Sequence, residues 1–453
     1  MSVTGSRRTL TGWGRTAPTM ARVVTPTSVD DVVDAVRCGG DRGVIGRGLG
    51  RSYGDAAQNA GGVVVDLTRL DAVHQVDQGA ATVEVAAGVS LDRLMRRLLP
   101  LGLWIPVLPG TRQVTVGGAI AADVHGKNHH LDGSFGAHVA SLDLVTADGA
   151  VRRCEPDGPE ADLFWATVGG MGLTGFVVRA VLRLHRVESA YFAVDTERAR
   201  DLDDLMDRLD RDDAAYPYSV AWFDSVATGR RLGRAVITRG RSARVDELPP
   251  GLRGDPLRFD APRLGTVPPG LPGGLLNRLS ARAFNEVWFR KAPEQRRGEI
   301  QKITRFFHPL DVVAEWNRGY GPRGFCQYQF VVPFGAEDAL HAAVRRIAGS
   351  GHVSCLNVLK RFGPGDPAPL SFPTAGWTLA VDIPVGPGLA GLFDALDELV
   401  LDAGGRVYLA KDARLSAATL AQMYPRLDDF RAVRARVDPD GLFRSDLARR
   451  LAL

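Results

Sequence analysis

Between Thr115 and Ala122 the chain reads TVGGAIAA, a run almost free of bulky side chains. A backbone this bare can lie directly against a flat or charged surface, because no Cβ beyond alanine's stands in the way. It sits inside Pro109-Gly110-Thr111-Arg112-Gln113-Val114-Thr115-Val116-Gly117-Gly118-Ala119-Ile120-Ala121-Ala122-Asp123-Val124-His125-Gly126. A tightly packed buried turn or helix has the same composition, so this run alone does not decide. A second bare segment precedes it, Gly46-Arg47-Gly48-Leu49-Gly50-Arg51-Ser52-Tyr53-Gly54-Asp55. Successive N–H groups in such a turn form a concave nest for an anion such as pyrophosphate. A flexible surface turn is the bland reading of that loop. Two such loops in one domain favour a large, partly anionic ligand held by backbone.

Two better-known phosphate motifs do not fit. Counted from Gly46 and Gly48, the third position of a G-x-G-x-x-G fingerprint is Arg51. The residues that follow, RSYGDAAQNAGG, make a poor helix, although Asp66 falls about where a ribose-binding acid would. A P-loop fails for want of Gly-Lys-Ser/Thr.

Around these loops the first 185 residues alternate short strands and helices. Ser28 is placed to cap a helix carrying Val29, Val32, Val33 and Val36 on one face. Ser90 is placed to cap another with Leu91, Leu94, Met95 and Leu98. Residues 61–67 and 81–87 read as strands. From about 190 to 405 aromatic-rich alternating segments appear at 218–225, 325–334, 352–362 and 376–385, as in antiparallel sheet. The stretch 249–275, with seven prolines, reads as a mobile loop or lid. A helix over 389–403 stops at Gly404. The fold class expected is α+β.

With 56 basic and 52 acidic side chains there is no basic stripe of the kind nucleic acid requires. The four cysteines, Cys38, Cys154, Cys326 and Cys355, match no metal or redox spacing and read as free buried thiols in a reducing compartment. No signal peptide and no transmembrane run is present, so a cytoplasmic protein is expected, with peripheral membrane contact or a periplasmic side left open.

Further side chains point to chemistry. Pairing His125 with His129 would give helical metal-ligand spacing, but Gly126 and Asn128 oppose a helix there, and no metal is expected. His125 as a neighbour of a bound ring is the stronger reading. In Tyr408-Leu409-Ala410-Lys411-Asp412-Ala413-Arg414 a strand would lead Lys411 into a cleft, as a cation or a base. A solvated Lys411 paired to Asp412 is the alternative. Gln327 and Gln329 share one strand face and can hydrogen-bond sugar hydroxyls or a phosphate.

Taken together, LTGWGRTAP (10–18), RGLGRSYGD (47–55), LWIPVLPGTRQVTVGGAIAADVHGKNHH (103–130), LFWATVGGMGLTG (163–175), FDAPRL (259–264), FHPLD (307–311), QYQFVVP (327–333), APLSFPTAGW (368–377) and AKDAR (410–414) resemble the flavin-dependent decaprenylphosphoryl-β-D-ribose 2-oxidases. These enzymes of actinobacterial cell-wall arabinan synthesis belong to the vanillyl-alcohol-oxidase type of flavoprotein. The resemblance implies an FAD domain from 1–189 with 406–453 returning to it, and a substrate domain over 190–405. It implies non-covalent FAD at residues 46–55, Gly110, Thr115, Val116, Gly117, Gly118, Ala122, Asp123, Val124, His125, Val177 and Tyr408. The catalytic group would be Lys411, His125 and Tyr53. Substrate contacts would be Trp222, Gln327, Gln329, Lys360, Thr378, Ala380 and Lys411. The reaction implied oxidises the ribose 2-hydroxyl of decaprenylphosphoryl-β-D-ribose, and an NADH-dependent short-chain reductase then completes epimerisation. An aldonolactone or alditol oxidase on the same scaffold, or a non-catalytic flavin-binding protein, are the alternatives. Mycobacterial members of that family carry Asn and Cys at the positions of Thr378 and Ala380, and Tyr at Phe307.

Overall fold

The computed structural model describes residues 5–453. Three sheets carry a mixed α+β architecture. Strands Ser6–Leu10, Thr19–Val24, Val63–Asp66 and Val44–Arg47 form the first, in that order. Its last three strands run parallel, and the run VVVD is buried on both faces as such strands require. A second, five-stranded antiparallel sheet places Phe176–Arg183 at its centre. The third has eight strands in the order Gln295–Lys302, Tyr191–Ala199, Ala235–Ser242, Tyr218–Phe223, Asn357–Phe362, Gly376–Pro384, Phe325–Pro333, Arg406–Val407. Arg406–Val407 is thus the edge strand of the large sheet, and the chain leaves it only at Tyr408.

Both expected helix starts hold. Ser28 and Asp31 form a reciprocal capping box at Val29–Arg37, and its N–H and hydroxyl donors hold the Asp31 carboxyl below its usual range. Ser90 caps Leu91–Leu98, whose Leu91, Leu94, Met95 and Leu98 are all buried. Each such side chain contributes about 1.5–3 kcal/mol of transfer free energy. The helix Leu389–Asp402 ends where Gly404 turns left-handed.

Three expectations need correction. The strand expected over 352–362 forms only at Asn357–Phe362. Residues 249–275 hold no central strand but do contain a short 3-10 turn, Pro250–Leu252, and a two-residue strand, Gly265–Thr266, paired to Val313–Ala314. All four cysteines are free, yet only Cys154 is buried, and Cys38 lies exposed after the first helix.

The C-terminal segment returns to the first sheet. Phe443 bridges Val44, and Asp446 accepts hydrogen bonds from the Ala60 N–H and the Thr19 hydroxyl.

Candidate functional site

The two bare loops meet. Gly48 lies so close to Thr115 that a Cβ there would stand 2.2 Å from the threonine Oγ1. Thr115 caps the short helix Val116–Ala121 by accepting from the Gly118 N–H, while the Val116 and Gly117 N–H groups bond to Val89 and Ala87. This helix start is therefore internally satisfied. The 46–55 loop is not: among the described residues the N–H groups of Leu49, Gly50, Arg51 and Ser52 reach no protein acceptor. That row of unpaired donors is the anion nest. Gly118 is exposed next to Thr115, and Gly110 is exposed with nothing near its Cβ position.

Side chains fix this loop from behind. Arg47 donates to the Thr11 and Ala57 carbonyls, at 2.9 and 3.0 Å. Arg51 stacks on Trp13 at 4.0 Å. Asp55 pairs with Arg450 at 2.8 Å, and Arg450 also grips Asp412. Asp123, in a left-handed conformation, spends its buried carboxylate on the Gly136 N–H and the Ser371 hydroxyl. Only the backbones of Asp55 and Asp123 thus remain for a cofactor. Val124 and Val177 lie in the core beneath the short helix, with Val116 and Ala119.

Opposite the loops lies one face of the eight-stranded sheet. Directly opposed residues in antiparallel strands share a face. The register aligns Trp222, Val358, Ala380 and Gln329 in one row. Lys360 opposes Thr378, and Gln327 opposes Asp382, on the same face. The 125–130 loop crosses this face and is tied down there: the Ser219 N–H donates to the Lys127 carbonyl, and Lys360 Nζ donates to Gly126. His129 accepts from the Gly363 N–H, so its ring is committed to structure.

His125 stands between the two halves. Its Nε2 lies 2.9 Å from Gln329 Nε2, and its ring packs on Phe362, Phe372 and Tyr408. The Thr378 hydroxyl donates to the Phe330 carbonyl and so accepts from the Gln329 amide. That assigns the amide nitrogen toward His125, whose Nε2 is then an acceptor. The proton therefore sits on Nδ1, which is buried with no partner among the described residues. Burial and the nearby Lys360 hold the imidazole well below its ordinary pKa.

Lys411 is not paired to Asp412. Its Nζ lies 3.8 Å from the centre of the Tyr53 ring, and Asp412 belongs to Arg450. A turn rather than a strand carries it, pinned by the Tyr53 N–H donating to Ala410. Asp382, missed as a site residue, hydrogen-bonds Gln327, which reaches the Tyr53 hydroxyl at 3.4 Å. Burial raises the Asp382 carboxyl to about 7 and lowers Lys411 to about 8, each opposing the other's shift. Lys127 and Lys360 are both lowered to about 7, by burial and then by a neighbouring lysine. Asp382 shares the alternation of Thr378 and Ala380, so the strand pattern could have found it. Lys127, in the VHGKNHH string, carried no signal of burial.

The site thus offers an anion nest, open glycines, and an aromatic and imidazole wall with an unpaired donor. These features fit a large, partly anionic cofactor such as a flavin dinucleotide. Known proteins agree. Residues 20–155 match the FAD binding domain family, and residues 380–451 match the family described as D-arabinono-1,4-lactone oxidase. The chain is 53% identical to a decaprenylphosphoryl-β-D-ribose oxidase of Mycolicibacterium smegmatis, over 98% of this chain and 97% of that one. It is 27% identical to an alditol oxidase of a Streptomyces species, over 98% of each. An L-gulono-1,4-lactone dehydrogenase of Mycobacterium tuberculosis is 26% identical, over 95% of each. The cofactor is FAD, and the chain belongs to the decaprenylphosphoryl-β-D-ribose oxidase family, as an FAD-dependent oxidoreductase acting on a CH–OH group.

Proposed function

We infer that this chain oxidises the ribose 2-hydroxyl of decaprenylphosphoryl-β-D-ribose to the 2-keto sugar. The observation that carries the reading is the pair Lys360 and Lys411, Lys360 on the sheet face opposite Thr378 and Lys411 on the Tyr53 ring, with Asp382 as the carboxylate facing Lys411. Burial and then the neighbouring Lys411 depress Lys360, and a phosphate brought beside Lys360 restores its cationic form while Lys411 is left to act as a base. A sugar joined to a phosphate suits this pocket better than a neutral alditol or lactone does. FAD, held non-covalently, supplies the two-electron acceptor for the hydride leaving the sugar carbon.

The protein's share is placement and proton transfer. Gln327 and Gln329 present amides to sugar hydroxyls along one strand, and Asp382 and Thr378 set their directions. In this reading Lys411, whose amine lies on the Tyr53 ring with Asp382 near it, takes the hydroxyl proton. Trp222 closes the outer end of the row, its indole N–H fixed to the Cys355 carbonyl. The 2-keto product requires a second enzyme to complete epimerisation, and an NADH-dependent short-chain reductase has the matching chemistry.

The test is an absorbance spectrum of the purified holoenzyme before and after anaerobic addition of the lipid-linked ribose. Bleaching of the flavin band by that substrate, and none by free alditols or aldonolactones, is expected. The reverse preference would assign the chain to the alditol or lactone oxidases.

A further inference from the structure

The helix Arg278–Lys291 is built inside out. Its protein-facing side holds only the small Ala281 and the half-buried Phe289 as apolar contacts, beside polar ones: Asn285 is buried and donates to Asp224, and Glu286 pairs with Arg234 at 2.7 Å. Its solvent side is apolar. Leu279 and Val287 are 80% and 66% exposed, and Phe284 and Trp288 lie open beside them. Phe284, Val287 and Trp288, spaced i, i+3 and i+4, form one patch in which Phe284 stacks on Trp288, and Leu279 lies roughly a quarter turn from Val287 at the N-terminal end. Leu275, also exposed, extends it past the capped start, where the Ser280 hydroxyl donates to the Leu275 carbonyl. Contiguous apolar surface of this kind on a soluble face marks a contact site.

Its rim is basic. Arg278, Arg282 and Lys291 make no ion pair among the described residues, and the helix's one acid, Glu286, is taken by Arg234 and Arg290. The whole chain carries a net charge of only +4, so this rim is a local concentration. Among the described residues no helix is long and apolar enough to cross a membrane. An apolar stripe with a cationic border is instead the pattern that lies in the plane of an anionic bilayer surface. The stripe also leads to the site: Trp288 packs edge-on against Trp222 with ring centres 6.3 Å apart, and Trp222 begins the row that ends at Gln329.

We propose that this helix docks the enzyme on an anionic lipid surface, with Leu279, Phe284, Val287 and Trp288 entering the headgroup boundary. Docked so, the pocket opens where a polyprenyl-phosphate sugar emerges from the bilayer. The purpose rests on the substrate proposed above, whereas the docking itself does not.

The holoenzyme is sedimented with phosphatidylcholine vesicles, with and without phosphatidylglycerol. The anionic vesicles should carry it down, less so at high salt. Leu279→Ser/Val287→Ser should weaken that binding by about tenfold or more, since each removes a large apolar side chain from the lipid. FAD content and melting temperature of the variant serve as folding controls. Absence of vesicle binding, or binding indifferent to the substitutions, overturns the proposal. So does a holoenzyme dimer that the same substitutions dissociate, because the stripe then covers a second copy. Vesicle binding without flavin bleaching by the lipid-linked ribose would keep the docking surface and remove the substrate assignment.

Discussion

The two walls of the pocket recognise their ligands by different means. The 46–55 loop works through backbone: its donors are peptide N–H groups, and its side chains Arg47, Arg51 and Asp55 all point into structural bonds. The sheet face works through side chains, with Lys360, Lys411, Gln327, Gln329 and Asp382 crowded into mutual contact. A backbone wall tolerates changes of side-chain chemistry and fails when a Cβ is added. A side-chain wall tolerates small changes of volume and fails when charge or hydrogen bonding is altered.

The largest effect expected is at the backbone wall. A Cβ at Gly54 would stand 2.0 Å from the Asp412 carbonyl oxygen, so Gly54→Ala must push apart the glycine loop and the Lys411 turn. FAD retention should be lost, as read by the flavin absorbance of the purified protein. Full retention would mean that the loop does not depend on close approach. Next comes Lys411→Met, which keeps the bulk and removes the amine. FAD should stay bound while the rate of flavin reduction falls by roughly 10²-fold. Stopped-flow absorbance reads both, and a joint loss of FAD and rate would erase the division of labour between the walls.

The same lysine gives a pH signature. Its amine is protonated below about 8 and neutral above it, so flavin reduction should rise as pH passes through that value. The rise should vanish in Lys411→Met. Stability follows the same sign: Lys360 is lowered from 10.5 to about 7, so the unfolded chain binds more protons between those values. This group's contribution therefore improves as pH rises across that window, and urea midpoints taken along it would show it.

Smaller effects test the phosphate reading. Lys360→Met should raise KM for the lipid-linked ribose by about tenfold with kcat nearly kept, as for a lost charged hydrogen bond. A drop in kcat alone would move Lys360 from binding to the chemical step. Thr378→Val removes the hydroxyl that orients Gln329, and a loss of only a few-fold in kcat/KM is expected. The variant should still hold FAD.

The contrast also governs what could be read from the sequence. Glycine-rich stretches announce a backbone site directly, and the loops at 46–55 and 115–118 were visible on that ground. The sheet face was half visible. Alternation gave Gln327 with Gln329, and Thr378 with Ala380, but strand order is a property of distant pairings that alternation does not encode. So the row from Trp222 to Gln329 could not be assembled from periodicity. The edge strand Gln295–Lys302, QRRGEIQK, was missed because it is largely exposed and offers almost no apolar alternation. The helix Arg278–Lys291 escaped for the opposite reason, since most of its apolar positions face water while its core side is held largely by ion pairs. Lys411 was expected at the end of a strand, and a tight turn carries it instead.

Arg450 joins Asp55 to Asp412, across 395 and 38 residues of sequence. The end of the glycine loop is thus braced by a segment 395 residues further along the chain. The loop that would receive a diphosphate and the turn that carries Lys411 are therefore coupled through one guanidinium, so a change at Arg450 would disturb both at once.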